Sequence, residues 1–310
     1  MNLKNILKIL HQFFLGLGKK NIVNTRFVPS SNQYESYFDE IISRDKILSK
    51  IKLNKNSIVL GSCFSIRLAD FLHSNFETTI LEENIYKLKV NWGRVYNIKN
   101  IEQIIEYSIY KKKFLTEKNK NYFFDPLRED TISFCKNQKQ ILKSISNHRK
   151  QSFKAFKNAS SIILILGINE VWYDKKTKSY WGTKPVSSIL NKNTNRFLIK
   201  KLSDKQIYLS LNRSIQLLKK INPSIKIILS LGIVPPEVTF IGKSVLENFF
   251  VDQGQIRKIV NKVISKNFKN VTYSPLFEYL FFKNPIVLKA DNRHVNDYYV
   301  KKALNLIFKK

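Results

Sequence analysis

The chain is expected to adopt an α/β fold, a three-layer parallel sheet flanked by helices. Three observations predict it. Continuous apolar runs at Ser161–Leu166 and Ile225–Leu231 are rich in β-branched residues and are followed by Gly167 and Gly232, as suits strands buried on both faces. Stretches of helical period separate such runs, and strands alternating with crossover helices imply a parallel sheet. With 310 residues, 43% of them hydrophobic, the chain can bury one sizeable core or two small ones.

Taken in order, Leu3, Ile6, Leu7, Leu10, Phe13, Phe14 and Leu17 fall at helical spacing, with Lys4, Lys8, Lys19 and Lys20 interleaved or flanking. A membrane-surface helix reads this way. So does a terminal helix docked on its own domain, which is the expected case. Lys8, His11 and Gln12 break the run and no small-residue cleavage site follows, so a cleaved signal peptide is not expected. Residues 21–50 are polar and read as an extended arm, which makes 1–50 a helix-and-arm segment ahead of one domain at 51–310.

Within that domain, Ser57–Leu60 reads as the first strand and Ser65–Ser74 as a helix. Ile101–Tyr110 is a second helix. Residues 111–150 carry Lys111-Lys112-Lys113 and little periodicity before Ile141, and read as an insertion or lid. Residues 205–221 form a helix with Ile207, Leu211, Ile215, Leu218 and Ile221 inward, ended by Pro223. A long helix at 244–267, a short strand at Val271–Ser274 and a closing helix at Asp297–Phe308 complete the chain. There is no internal repeat, and no apolar span of ~20 residues that would cross a membrane.

The formal charge is +31. The excess is nearly all lysine, dispersed, and accompanied by abundant asparagine and isoleucine, residues that share A/T-rich codons. Arginine, better suited to bidentate phosphate recognition, is scarce. Specific nucleic-acid binding is therefore not expected, whereas weak association with a polyanion or an acidic membrane surface is. Cys63 and Cys135 cannot build a disulfide framework, and no Cys/His spacing suits zinc, so no metal and no cofactor is expected. A cytoplasmic location follows as the default for so few cysteines, with peripheral membrane association left open.

Gly61-Ser62-Cys63-Phe64-Ser65 sits between the first strand and the first helix, where a nucleophile is readily exposed. A serine needs a base within hydrogen-bond reach. Of the four histidines, His11 lies in the N-terminal helix, His73 at a helix end and His148 in the lysine-rich segment, where it reads as solvated. His294 alone has an aspartate, Asp291, close enough in sequence for one loop to hold both. Taken alone, that pair reads better as a cap on the final helix. Ser62 N–H, Gly93 and the Asn169 side chain are candidate donors to an oxyanion. Cys63 is a rival nucleophile, read instead as a small residue packed behind the turn.

The first of these motifs closely resembles the signature that names the GSCFA family, with serine where that name has alanine. Asn91–Asn97 is similar to the family's glycine-tyrosine segment. Leu166-Gly167-Ile168-Asn169-Glu170-Val171-Trp172 resembles its Gly-x-x-Glu-x-Trp block, and Ile233-Val234-Pro235-Pro236 its Pro-Val-Pro region. The family looks like a branch of the SGNH/GDSL hydrolases, and the order Ser, Gly, Asn, Asp-x-x-His matches that superfamily. The resemblance implies an SGNH hydrolase-like, flavodoxin-like fold. It makes Ser62 the nucleophile, His294 the base and Asp291 its orienter. Ser62, Gly93 and Asn169 become the oxyanion hole, with Gly61, Cys63, Gly167, Glu170 and Trp172 in support. Glu170 departs from the broader superfamily, which usually has aspartate there.

The activity expected is that of a serine esterase or acyltransferase acting on an O-acyl ester, foremost an O-acetyl group on a glycan or small molecule. Trp92, Tyr96, Trp172, Tyr173 and Trp181 are candidates to stack on sugar rings or to fill the core. The alternative is a non-catalytic polyanion- or glycan-binding protein on the same scaffold.

Overall fold

A computed structural model describes residues 53–54, 56–76, 92–110, 115–129, 133–192, 195–242, 244–266, 268–283, 289, 291 and 293–308. The helix and arm read from residues 1–50 lie outside these. The elements run β1 (Ser57–Gly61), α1 (Phe64–Phe76), α2 (Ile98–Tyr110), β2 (Glu117–Asn119), β3 (Tyr122–Phe124), β4 (Phe134–Cys135), α3 (Gln138–Asn158), β5 (Ser161–Leu166) and β6 (Glu170–Asp174). There follow β7 (Ser179–Trp181), α4 (Ser187–Leu190), β8 (Phe197–Lys201), α5 (Asp204–Ile221), β9 (Lys226–Leu231), α6 (Val245–Ile264), β10 (Val271–Ser274), α7 (Leu276–Lys283) and α8 (Asp297–Ile307).

The central sheet is parallel, in the order β1-β5-β9-β10. β1 and β5 are buried along their whole length, as is β9 beyond Lys226. Alternate side chains point to opposite faces, so both faces are covered. Helices α2, α3, α5 and α6 pack on one another, while α1 and α7 both pack on α8. The predicted three-layer α/β class is the observed one. Among the described residues no helix is long and apolar enough to cross a membrane.

Helix α5 forms where its sequence says it should. Ser203 and Gln206 make a reciprocal capping box, Asp204 faces the positive helix start, and Lys219 and Lys220 sit at the negative end. Ile207, Leu211, Ile215 and Leu218 form its buried stripe.

The lysine-rich segment is more ordered than its sequence implies. β2, β3 and β4 form an antiparallel sheet, and α3 starts at Gln138, where Asn137 Oδ1 accepts from Gln140 N at 2.9 Å. Strands of two or three residues are too short to display alternation, and the inward stripe of α3 is interrupted by the buried polar residues Arg149 and Ser152. A second antiparallel sheet, β7-β6-β8, follows β5 directly. Helix α2 holds its edge: Asn100 Nδ2 donates to Trp181 O at 2.9 Å, and Gln103 Nε2 to Tyr180 O at 2.7 Å.

Arg196 ties the two small sheets together. Its Nε and Nη2 donate to Asp174 at 2.8 and 2.6 Å, and its guanidinium also grips Glu117 of β2. Burial opposes the Asp174 charge. Hydrogen bonds from Arg196, Thr177 and the Lys176 main chain nevertheless hold its carboxyl below the usual carboxylate range. Arg196→Met leaves these acids facing one another and should cost about 3–5 kcal/mol in urea denaturation. A depressed folded-state pKa contributes stability at pH above the unfolded value of about 3.9, and that contribution is lost as pH falls through the folded one. The gap between wild type and variant should therefore narrow in acid.

Candidate active site

The carboxyl ends of β1, β5 and β9 converge. A Cβ on Gly61 would lie 2.3 Å from Ile165 O, so β1 keeps its register beside β5 only with glycine there. The chain then turns tightly. Ser62 N donates to Ile165 O at 3.3 Å, Ser65 N to Ser62 O at 2.7 Å, and Ser65 Oγ to Gly61 O at 3.2 Å, which starts α1. Residues 92–97 cross these strand ends, with Val95 N donating to Gly61 O at 2.7 Å and Ile168 N to Tyr96 O at 2.8 Å. A Cβ on Gly167 would lie 2.5 Å from Tyr96 O and 3.1 Å from Ser62 Cβ.

A cavity of about 360 Å³ opens at this junction. The Ser62-Cys63 turn and Gly167 line it, with Arg94, Tyr96 and Asn97 from the crossing segment. Glu129, Trp172 and Trp181 add a wall from the small sheets and their loops. Pro235, Phe240 and Arg293 come from the loops after β9 and before α8. Of the expected stacking aromatics, Tyr96, Trp172 and Trp181 line the cavity. Trp92 is core: it stacks on Phe156 with centroids 5.4 Å apart and donates to Ser152 Oγ at 3.0 Å. Tyr173 packs on Tyr180.

Ser62 and Cys63 both line the cavity, and they differ in exposure. Ser62 is 3% exposed, and its buried Oγ has no hydrogen-bond partner, so it is not joined to His294. A Cβ built on Gly232 would sit 3.2 Å from that Oγ. Cys63, expected behind the turn, is instead partly exposed and faces the cavity, because neighbouring side chains on this turn diverge. Burial pushes its thiol pKa up. Arg293, Arg94 and the main-chain N–H groups of Phe64 and Cys63 pull the other way without cancelling it. Burial likewise pushes Tyr96 up to about 12.

Asp291 and His294 form the expected pair. His294 Nδ1 meets Asp291 Oδ2 at 2.5 Å, while Asp291 Oδ1 accepts from the main-chain N–H of Arg293 and of His294, both at 3.0 Å. These bonds, with that of the His294 ring foremost, hold the Asp291 carboxyl well below the usual carboxylate range. His294 is not a lining residue. Arg293 beside it is, and its Nε donates to Pro235 O at 3.2 Å, which fastens this loop to the cavity rim. The capping role falls to another residue: Asn296 Oδ1 accepts from Tyr298 N at the start of α8.

The predicted oxyanion donors fare differently. Ser62 N–H is engaged by Ile165 O, and Gly93, in the left-handed region at φ 67°, does not line the cavity. Asn169 is turned away. Its Nδ2 donates to Gln255 Oε1 at 2.6 Å and its N to Asp252 Oδ2 at 2.9 Å, because α6 packs behind the β5–β6 turn. Asn97 is the amide that reaches the cavity wall. Its Oδ1 caps α2 through Asn100 N at 3.0 Å, and its Nδ2 is only 3.5 Å from Glu170 O. Glu170 supports the opposite wall by accepting from Thr239 Oγ1 and from Phe240 N.

His148, read as solvated, is half-buried in α3. Burial, then Arg128 and Arg149, drive its pKa well below the ordinary histidine value. Arg94, Asn97 and Glu129 were not singled out in sequence, since each needs the fold to bring it to the strand ends.

A parallel α/β sheet with a cavity at its carboxyl edge is the place where such sheets bind ligands. The chain belongs to the GSCFA family, whose profile matches residues 56–306. No curated protein matches it.

The electrostatics at Cys63 are open to measurement. Iodoacetamide alkylation of Cys63, followed by peptide mass spectrometry, should rise with pH through a midpoint above the ordinary thiol value of about 8.5. Arg293→Gln removes a cation that favours the thiolate and should move that midpoint higher still.

Proposed function

We propose that the chain is an SGNH-type esterase or acyltransferase, which cleaves an O-acyl ester through a covalent acyl-enzyme formed on the Gly61–Cys63 turn. His294 serves as the base and Asp291 orients it. The observation that carries this reading is the meeting of that turn with the Asp291–His294 loop at one cavity, through Arg293 and its bond to Pro235.

Asp291, held ionised, engages Nδ1 of His294 and leaves Nε2 to move protons. The nucleophile adds to the ester carbonyl, the alkoxide leaves with the proton from His294, and water or an acceptor hydroxyl resolves the acyl-enzyme. Trp172 and Tyr96 supply flat apolar surface to the cavity, which suits an acylated sugar. A thiol beside the reaction centre fits a reducing compartment such as the cytoplasm.

The test is hydrolysis of p-nitrophenyl acetate and of O-acetylated glycans. His294→Ala should lower kcat/KM at least ~100-fold, the scale of losing a general base. Asp291→Asn should lower kcat with little change in KM. Undiminished turnover in His294→Ala, or no turnover of any ester by the wild type, would remove the reading.

A further inference from the structure

Helix α6 departs from the pattern of a surface helix. Its inward face is apolar, with Phe249, Ile256, Ile259 and Val260 buried. Over its N-terminal half the outward face is apolar too. Leu246 and Phe250 are each 49% exposed and Val251 is 56% exposed, and a Cβ built on Gly254 would meet open space. Single exposed apolar residues are ordinary, but a helix that is apolar on both faces is normally buried.

Further along the helix the same face turns basic. At about 3.6 residues per turn, Lys258 and Lys262 fall on the face of Phe250, Val251 and Gly254. Lys266 follows just beyond the helix end. Asp204 lies 2.8 Å from Lys258, and the Lys262 and Lys266 ammonium groups sit over the Tyr208 ring. Glu247 is the acid on this face, in the first turn, where it favours the positive helix end.

The apolar stretch reaches the cavity. The loop between β9 and α6 packs on the first turn of α6, with Asn248 Nδ2 donating to Thr239 Oγ1 at 3.0 Å. Val238 and Phe240 of that loop line the cavity and are themselves exposed.

An apolar stretch continued by lysines suits a helix lying on a bilayer, where apolar side chains reach the acyl boundary and ammonium groups meet head-group phosphates. Charge decides between this occupant and a second copy. Two chains of +31 repel, whereas an anionic leaflet attracts such a chain before apolar contact forms. Nucleic acid would use the lysines and leave Leu246, Phe250 and Val251 in water.

We propose that the outward face of α6, with Val238 and Phe240 beside it, docks on an anionic lipid bilayer and brings the cavity mouth to the membrane surface. Docking needs no ester turnover, so it stands or falls separately from the acyl-transfer reading.

The experiment is co-sedimentation of the full chain with vesicles of phosphatidylcholine and phosphatidylglycerol in equal parts, against vesicles of phosphatidylcholine alone. Capture is expected on the anionic vesicles, weakened by added salt. Phe250→Gln with Val251→Gln should lower the partition coefficient at least ~10-fold, the scale of losing two half-exposed apolar side chains from the contact. Glutamine is a good helix former, so this pair should keep the wild-type urea midpoint. Lys258→Gln with Lys262→Gln should lower capture on anionic vesicles about 10-fold. Orientation is read by fluorescence. Brominated phosphatidylglycerol should quench Val251→Trp beyond the wild-type level and should not so quench Phe134→Trp, an exposed position on β4. Equal capture of wild type and the Phe250→Gln, Val251→Gln pair would overturn the docking face. So would equal capture by uncharged vesicles, no capture at all, or equal quenching at both positions. A dimer of the chain in solution, dissociated by the same pair of substitutions, would give the face to a second copy instead.

Discussion

The carboxyl ends of β1 and β5 approach more closely than any side chain would allow. Gly61 lies so near Ile165 that a Cβ would overlap its carbonyl oxygen, and Gly167 stands in the same relation to Tyr96 O. Everything at the site follows from that contact. It lets Ser62 hydrogen-bond to Ile165 O and turn at once into α1, and it gives residues 92–97 a surface to cross. A larger residue at either glycine would lift the turn away from the sheet and spread the cavity floor.

The same contact decides what the turn presents. With the strand ends pressed together, the side chain after Gly61 has nowhere to go but inward, against Gly167 and Gly232. The one after it emerges into the cavity, at the positive end of a helix. The Cys63 thiol sits where main-chain N–H groups and two guanidiniums favour the thiolate, although burial outweighs them and raises its pKa. The Asp291–His294 pair is held at the rim by the neighbouring Arg293.

The layers were legible in the sequence because β1, β5 and β9 are buried on both faces and so appear as unbroken apolar runs. The Gly61 turn and the Asp291–His294 pair were legible because each is local, within a few residues of chain. Side-chain direction was not. Asn169 follows a buried strand as expected, but Asp252 and Gln255, more than eighty residues later on α6, capture it from behind. The burial of Ser62 Oγ has the same origin, since Gly167 and Gly232, which pack against it, follow other strands. The small sheets escaped notice because their strands are short, and their closure depends on Arg196 finding Glu117 and Asp174 across the fold.

The overall charge of +31 raises the question of an anionic ligand, and the cavity bears on it directly. Its basic residues are not bare. Arg94 is bonded to Glu129, Arg293 lies 3.5 Å from Glu237, and Lys184 sits over the Phe240 ring. Glu170 brings a further carboxylate to the wall. A polyanion site would gather unopposed cations along a groove, whereas here acids and bases alternate around an aromatic lining. The lysine excess is then a property of the surface, screened by salt, while the two arginines of the cavity are each met by a carboxylate.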